Sequence, residues 1–207
     1  MKRYFLASHR LELGRVPRCG IGIDQDRAGY DMGCAVGDFD NDGFDDLVVT
    51  YWSGVVLYHN QADGSQVGRR FVDITETAGL HDPHWATSCG WGDTDGDGDL
   101  DLYVCNYNEI DLSDYPLCVH EDILISCAPW WFPTVSHRLY QNQGDGTFSD
   151  VTAASGVADA SPAPGLGVVL VDLDQDGQLD IYVANDARPA YLFPQSGWRP
   201  IRGKGFV

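Results

Sequence analysis

Asp38-Phe39-Asp40-Asn41-Asp42-Gly43-Phe44-Asp45-Asp46 is the stretch that decides the fold, because its pattern occurs three times in the chain. Each copy has aspartate at positions 1, 3, 5 and 9 and glycine at position 6. The other copies are Asp93-Thr94-Asp95-Gly96-Asp97-Gly98-Asp99-Leu100-Asp101 and Asp172-Leu173-Asp174-Gln175-Asp176-Gly177-Gln178-Leu179-Asp180. Three copies of one pattern indicate three copies of one structural unit.

The spacing of the aspartates predicts a metal site in each copy. Four carboxylates on one short turn repel one another unless a cation neutralises them, and an all-oxygen ligand set suits a hard divalent ion. Calcium fits better than magnesium because a flexible loop tolerates an irregular coordination shell. No loop contains a cysteine or histidine, which disfavours zinc and copper. Glycine at position 6 permits the positive φ that such a turn needs.

The predicted ligands are the four aspartates of each loop together with the residue at position 7, which would offer its backbone carbonyl oxygen. In the first loop they are Asp38, Asp40, Asp42, Phe44 and Asp46. In the second loop they are Asp93, Asp95, Asp97, Asp99 and Asp101. In the third loop they are Asp172, Asp174, Asp176, Gln178 and Asp180.

The residues around the loops exclude an EF-hand and predict strands. An EF-hand needs an acidic ligand at position 12 and flanking helices, whereas position 12 is valine in all three copies. Short β-branched and aromatic runs follow each loop, as is typical of strands: 47–51, 102–105 and 181–184. Gly-rich strand candidates precede the loops: 33–37, 88–92 and 167–171.

A longer repeat surrounds the loops and predicts the fold class. Leu57-Tyr58-His59-Asn60 returns as Leu139-Tyr140-Gln141-Asn142, and the F-x-D-V/I-T pattern at 71–75 returns at 148–152. Strand, loop, strand, strand, tight turn and strand is the content of one propeller blade. We therefore predict an all-β protein, a partial β-propeller of about three four-stranded antiparallel blades with calcium loops.

The repeat also suggests how the chain is divided. Residues 1–32 do not match it and are predicted to be an irregular segment or partial blade. Residues 33–195 carry the repeats, with an insert at about 106–136, and residues 196–207 form an irregular basic tail. The third unit breaks off inside a blade, so we expect an open arc of blades or a fragment of a longer protein.

The charge distribution limits the partners. The net charge is −18, and residues 28–198 hold four basic residues against 28 acidic ones. Such a region repels nucleic acid and anionic membranes but suits calcium uptake. No apolar run is long enough to span a bilayer.

The cysteines and the insert suggest an oxidising compartment and a recognition loop. Cys118 and Cys127 lie in the insert and are the preferred disulfide pair, whereas Cys34 and Cys89 fit a bridge or small buried side chains equally well. The insert also carries the aromatic run Trp130-Trp131-Phe132. We expect these rings to fold down on the blade edge, although a recognition role is the alternative.

The histidines and carboxylates do not predict an active site. His59 and His137 are expected at the surface or at a blade edge, and the segment from His81 to His84 is expected to be a solvated turn. No nucleophile elbow, Walker loop or dinucleotide-binding glycine motif is present. A carboxylate committed to a metal cannot also serve as a proton donor, so we predict that the protein is not an enzyme.

The loops and linking segments resemble a known family. G-D-F-D-N-D-G-F-D-D-L-V-V (37–49) and V-D-L-D-Q-D-G-Q-L-D-I-Y-V (171–183) resemble FG-GAP/VCBS repeats, the integrin-α-type propeller repeat. The segment L-Y-Q-N-Q-G-D-G-T-F-S-D-V-T (139–152) is similar to bacterial ASPIC/UnbV proteins related to cartilage acidic protein. The resemblance implies a seven-bladed propeller, calcium in the blade loops and an extracellular, periplasmic or cell-surface setting.

Two functions follow as expectations. The first is a calcium-binding, non-enzymatic propeller module for extracellular adhesion or protein recognition, with a protein or glycan ligand on the loop face. The alternative is a carbohydrate-binding or carbohydrate-active propeller that uses Trp130, Trp131 and Phe132 as stacking platforms.

Overall fold

A computed structural model describes residues 30–65 and 68–194, and this part of the chain is built from β-strands. Residues 1–29 of the predicted segment 1–32, and the whole predicted segment 196–207, lie outside the described residues. None of the described residues belongs to a helix with the length and apolarity needed to cross a membrane. The strands, in chain order, are β1 Asp31–Gly37, β2 Asp46–Tyr51, β3 Gly54–Ala62, β4 Arg69–Asp73, β5 Ala86–Gly92, β6 Asp101–Asn106, β7 Cys118–His120, β8 Ile123–Ile125, β9 Arg138–Asn142, β10 Phe148–Asp150, β11 Gly165–Val171, β12 Asp180–Asn185 and β13 Tyr191–Phe193.

The strands form antiparallel sheets that repeat one topology. The first sheet has the order β1-β2-β3-β4, and the second has the order β5-β6-β9-β10. The third sheet has the order β11-β12-β13 among the described residues, and β7 and β8 form a separate hairpin within the insert. The predicted all-β architecture with four-stranded antiparallel blades is therefore confirmed, with three strands of the third blade described.

The sequence periodicity explains which strand faces are buried. Buried and half-buried residues alternate along β2, as expected for a strand with one face in a core. All six residues of β6 are buried, because this central strand of the second sheet has sheets on both sides. One apolar core around Phe39, Leu57 and Leu102 joins the first two sheets, and a second around Tyr103 and Ile181 joins the second and third.

Glycines in the first strand of a sheet allow the next sheet to approach closely. A Cβ atom added at Gly37 would lie 2.8 Å from Trp91 Cδ1, and one at Gly90 would lie 2.7 Å from Leu170 Cδ1. Both distances are too short for carbon atoms in contact, so the neighbouring side chain would have to move if either glycine were replaced by a larger residue. These close contacts hold the sheets in register, with their loops at the same end.

The F-x-D-V/I-T repeat has a structural role in the first two blades. The hydroxyl of Thr75 accepts a hydrogen bond from the backbone N–H of Leu57 at 3.0 Å, and Thr152 accepts one from Leu139 at 3.1 Å. The preceding aspartate accepts a hydrogen bond from the backbone N–H of its threonine, at 3.0 Å for Thr75. The motif therefore ties the end of the fourth strand to the third.

Of the two interpretations left open by the sequence, a bridge or a small buried side chain, Cys89 fits the second and Cys34 fits neither. Cys34 and Cys89 are both unbridged thiols on neighbouring first strands. Cys89 belongs to the apolar core, and burial raises the pKa of its thiol to about 12, so it behaves as a small hydrophobic side chain. Cys34 is exposed, so burial was the wrong expectation there.

His137 corrects the prediction of a surface histidine. Its side chain is buried, and its Nδ1 accepts a hydrogen bond of 3.0 Å from the backbone N–H of Asn106. It stands near the rings of Tyr103 and Tyr191, where the second and third sheets meet. Burial lowers the pKa of His137 from 6.5 to about 4, so the ring is neutral at physiological pH.

The depressed pKa of His137 predicts that the folded protein loses stability in mild acid. Because the unfolded state takes up the proton at about pH 6.5 and the folded state resists it until about pH 4, the free energy of unfolding falls as pH drops through this window. The expected contribution is about 3 kcal/mol. Denaturant titrations at several pH values give the free energy of unfolding of the wild type and of His137→Gln, which keeps an acceptor for Asn106. As pH falls through this window, the free energy of unfolding should drop more steeply in the wild type than in the variant. Parallel pH profiles would contradict the prediction.

Candidate metal centres

Each Asp-rich loop joins the first and second strands of its sheet and wraps its backbone around the aspartate at position 1. In the first loop, Asp38 accepts hydrogen bonds from the N–H groups of Asp42 at 3.0 Å and Gly43 at 2.9 Å. The second and third loops repeat both bonds at positions 93 and 172. At position 5, Asp42 accepts a bond of 2.9 Å from the N–H of Phe44, and the other loops repeat this bond too.

Two positions in each loop have left-handed backbone. Gly43, at position 6, has φ of 87°, as the sequence predicted. Position 4 is also left-handed, with φ of 58° at Asn41, 80° at Gly96 and 64° at Gln175. Sequence reasoning missed position 4 because asparagine and glutamine there do not carry the clear signal of a glycine, although asparagine tolerates this region better than most residues.

Each loop ends on a buried aspartate at position 9: Asp46, Asp101 and Asp180. One carboxylate oxygen accepts a hydrogen bond from the N–H of the second loop residue, at 2.9 Å between Thr94 and Asp101. In the first two sheets the other oxygen accepts one from the third strand, at 2.7 Å between Asn60 and Asp46 and at 2.9 Å between Asn142 and Asp101. The aspartate thus connects the loop to the third strand.

The asparagines of the L-Y-x-N repeat complete this connection. The amide of Asn60 donates to the backbone carbonyl of Asp45 at 3.0 Å, within the loop itself. The amide of Asn142 donates to the carbonyl of Leu100 at 3.2 Å and to that of Phe39, in the neighbouring blade, at 2.8 Å. The repeat therefore positions the loops, a role that the sequence alone did not reveal.

Burial disfavours the charged form of two position-9 carboxylates, those of Asp46 and Asp101. Desolvation raises the pKa of Asp46 to about 6, although hydrogen bonds from Asn60 and Phe39 oppose the shift. Desolvation also raises the pKa of Asp101, against hydrogen bonds from Thr94 and Asn142. A buried carboxylate in this state gains from a cation nearby, so the electrostatics of the loops favour a bound metal.

The loops bring carboxylates close enough to share one ion. Within each loop, three aspartates place one carboxylate oxygen each so that these oxygens lie within 4.8 Å of one another. The sets are Asp38, Asp40 and Asp46; Asp93, Asp95 and Asp97; and Asp172, Asp174 and Asp180. An all-oxygen set on an adjustable loop fits calcium. The position-7 residues Phe44, Asp99 and Gln178 lie beside these sets, and their role as carbonyl ligands stays a prediction.

Within the part of the chain that the structure describes, the first loop differs from the other two because basic side chains reach it from neighbouring strands. His59 Nε2 on β3 lies 2.9 Å from Asp40 Oδ2. A further group of possible metal ligands consists of His59, Asp40 and Asp42. Arg69 Nη2 on β4 lies 3.0 Å from Asp42 Oδ2, and its guanidinium stacks at 3.3 Å on the ring of Phe44. A guanidinium next to a ligand carboxylate competes with a metal for its charge.

Side chains also connect the loops to one another and to the sheets. Asn41 Nδ2 in the first loop donates to Asp99 Oδ1 in the second at 2.8 Å. Gln141 on β9 donates to Asp95 in the second loop. The bond from Asn41 places the carboxylate of Asp99 between two blades, so this side chain links neighbouring loops.

The insert leaves the second sheet at the end opposite the loops. Strand β6 begins at Asp101, where the loop ends, and finishes at Asn106, where the insert begins. The predicted disulfide between Cys118 and Cys127 is present. The insert and the Asp-rich loop therefore lie at opposite ends of the same strand.

The aromatic run of the insert only partly follows its prediction. Trp130 and Trp131 are each 64% exposed, so they do not fold down on the blade edge. Phe132 is half-buried, with its ring 5.4 Å from that of Tyr115. Trp130 also borders a cavity of about 160 Å³ that Asp186 and Arg188 line from the third sheet.

The residues from His81 to His84 form a turn with a buried carboxylate at its centre. Asp82 is buried and lies 2.7 Å from His84 Nδ1, and it accepts a bond of 2.8 Å from Asn106 Nδ2. The backbone carbonyl of His81 accepts a hydrogen bond from the hydroxyl of Tyr140 at 2.9 Å. The segment was predicted to be a solvated turn, and it instead joins the linker between the blades to β6 and β9.

The class of protein follows from this combination of blades and loops. The sequence profile of the FG-GAP-like repeat family matches residues 28–104 and 121–183, which is more than half of the chain. The protein belongs to the FG-GAP-like repeat family.

Individual relatives share a shorter segment. Over 57 residues, 28% of this chain, the sequence is 46% identical to cartilage acidic protein 1 of Xenopus tropicalis. Over a segment of the same length it is 44% identical to the proteins of that name from Homo sapiens and Mus musculus. These segments cover 9%, 8% and 9% of the three relatives, so the chain is matched to only a small part of their length.

The disulfide is expected to stabilise the insert rather than the blades. The double variant Cys118→Ser/Cys127→Ser opens a loop with a sequence separation of 9, which should destabilise the hairpin locally by about 2–3 kcal/mol. Limited chymotrypsin digestion should therefore cut the insert faster in the variant, while the thermal midpoint of the blades stays within about 2 °C of wild type. Cys34→Ser is the control. A large loss of midpoint in the double variant would contradict the prediction.

Proposed function

We propose that this protein is a calcium-binding, non-enzymatic β-propeller module for recognition of another protein outside the cytoplasm. The observation that carries the proposal is the grouping of three carboxylate oxygens within 4.8 Å of one another in each of three equivalent loops. Calcium would neutralise each loop and hold the first and second strands of its sheet together. Its proposed ligands are the twelve aspartates at positions 1, 3, 5 and 9 together with the carbonyl oxygens at position 7.

Membership of the FG-GAP-like repeat family supports a propeller that recognises a partner rather than an enzyme. The disulfide between Cys118 and Cys127 supports an oxidising setting, such as the cell surface, the periplasm or the extracellular space. The acidic surface supports a protein partner over nucleic acid. The carbohydrate alternative stays a hypothesis, and the feature that bears on it is the cavity between Trp130 and Arg188.

Calcium should raise the stability of the folded protein by mass action. At a free concentration about 100 times the dissociation constant, each independent site adds about 2.7 kcal/mol. Differential scanning fluorimetry should show a thermal midpoint that rises with calcium and falls with EGTA, while magnesium at the same concentration has a smaller effect. A midpoint that EGTA leaves unchanged, on protein stripped of metal beforehand, would sink the proposal.

A single-loop variant makes this test specific. Asp174→Asn removes one charge from the third loop but keeps the oxygen that accepts the hydrogen bond from the N–H of Asp176 at 3.1 Å. Isothermal titration should then show one calcium site lost or weakened at least tenfold. Glu76→Gln, which removes one charge from the exposed segment after β4, is the matched control and should bind calcium like wild type.

The three loops should differ in affinity, because among the described residues an arginine faces the first loop and neither of the others. Replacing Arg69 with glutamine removes the cation that lies 3.0 Å from Asp42. The first loop should then bind calcium about tenfold more tightly, which corresponds to about 1.4 kcal/mol. Arg138→Gln is the control, because Arg138 pairs at 3.5 Å with Asp150, outside the loops. Equal calcium affinities of the two variants would show that Arg69 does not compete with the metal.

A further inference from the structure

The hairpin of the insert exposes apolar side chains on both of its faces. Strands β7 and β8 pair in register from Cys118 opposite Ile125 to His120 opposite Ile123. Val119, Ile123 and Leu124 are 59%, 65% and 67% exposed, and Ile125 is exposed as well. A two-stranded hairpin is marginally stable in water, and this one is closed at its base by the disulfide.

Two exposed tryptophans follow the hairpin in the sequence of the insert. Trp130 and Trp131 follow Cys127 within four residues, in a single 3-10 turn that contains no buried side chain. We call the six residues Val119, Ile123, Leu124, Ile125, Trp130 and Trp131 the insert surface. In the blades, Val48 and Leu102 are completely buried, whereas Leu166 and Val169 of β11 are exposed. A concentration of exposed apolar side chains on a covalently closed projection marks an interaction site.

Charge decides what kind of partner this surface fits. Residues 106–136 contain five acidic residues and no lysine or arginine: Glu109, Asp111, Asp114, Glu121 and Asp122. A second copy of this chain, with a net charge of −18, would be repelled, and so would an anionic membrane. The complementary partner carries an apolar cleft bordered by lysine and arginine.

We propose that the insert surface is a docking element that inserts into an apolar cleft with a basic rim on a partner protein. This inference rests on the proposed role of the module in recognition and names the surface that performs it. Because the insert leaves β6 at the end opposite the metal loops, docking there does not cover them. The loops hold the blade that carries the insert, and the insert makes the contact.

Three synthetic peptides of equal length test the proposal on calcium-loaded protein. One has leucine at the helical spacing i, i+3, i+4 and i+7 and lysine elsewhere, so that it forms an amphipathic helix, one replaces lysine with glutamate, and one replaces leucine with serine. Fluorescence anisotropy should show the strongest binding by the leucine–lysine peptide, weak binding by the serine–lysine peptide and none by the leucine–glutamate peptide. The serine–lysine peptide is the control for electrostatic attraction between a basic peptide and the acidic protein as a whole.

A matched pair of variants locates the binding. Ile123→Thr/Leu124→Thr removes apolar surface from the hairpin without changing charge or strand propensity, and should weaken binding of the leucine–lysine peptide at least tenfold. Leu166→Thr/Val169→Thr alters similarly exposed side chains on β11, outside the insert, and should bind like wild type. Circular dichroism and the thermal midpoint of each variant establish that it is folded.

Unchanged peptide binding by the hairpin variant would overturn the proposal. So would a glycan array in which a sugar binds the wild type but not the hairpin variant while no peptide binds, because that result assigns the surface to carbohydrate. The calcium part of the proposed function fails separately, through a thermal midpoint insensitive to EGTA. Binding at the hairpin can therefore be scored whether or not the loops take up calcium.

Discussion

The buried aspartate at the end of each loop is the interaction on which the rest of the structure depends. In the first two blades its carboxylate accepts hydrogen bonds from the start of its own loop and from the third strand, as Asp101 does from Thr94 and Asn142. One side chain therefore fixes the loop, the second strand and the third strand relative to one another. Such a group is costly to bury while charged, and a cation held by the other loop aspartates would offset that cost.

The blades place two kinds of chemistry at opposite ends of the same strands. At one end, backbone N–H groups and carboxylates form loops suited to a hard cation. At the other end, the turns carry apolar and aromatic groups, including the exposed Trp130 and Trp131. Because β6 runs between the two, a loop that holds this strand also holds the base of the insert. Under the proposed function, a framework stabilised by metal at one end would present the insert as a contact surface at the other.

The three loops are alike in backbone but not in surroundings. All three loops repeat the hydrogen bonds around the aspartate at position 1. Among the described residues, basic side chains approach only the first loop, and these are His59 and Arg69. Arg69 is also held by Asn60 and by the ring of Phe44, so it is a fixed part of the site rather than a mobile surface residue. Equivalent sequences can therefore form sites of unequal strength.

The sequence by itself determined the strands, the four-stranded blades and the disulfide between Cys118 and Cys127. These features depend on local patterns, namely the alternation of apolar residues, the turn glycines and the short separation of two cysteines within one insert. It also marked the loop aspartates as one group, because their repulsion is already evident along the chain.

Only the tertiary structure decided which distant residues meet. His137 and His59 looked alike as strand-flanking histidines, yet one is buried between sheets and the other reaches a loop carboxylate. The placement of Arg69 beside Asp42, and the separation of the insert from the loops, follow from strand pairing across the blades. Such contacts depend on the register and packing of whole sheets, which no local pattern of residues encodes.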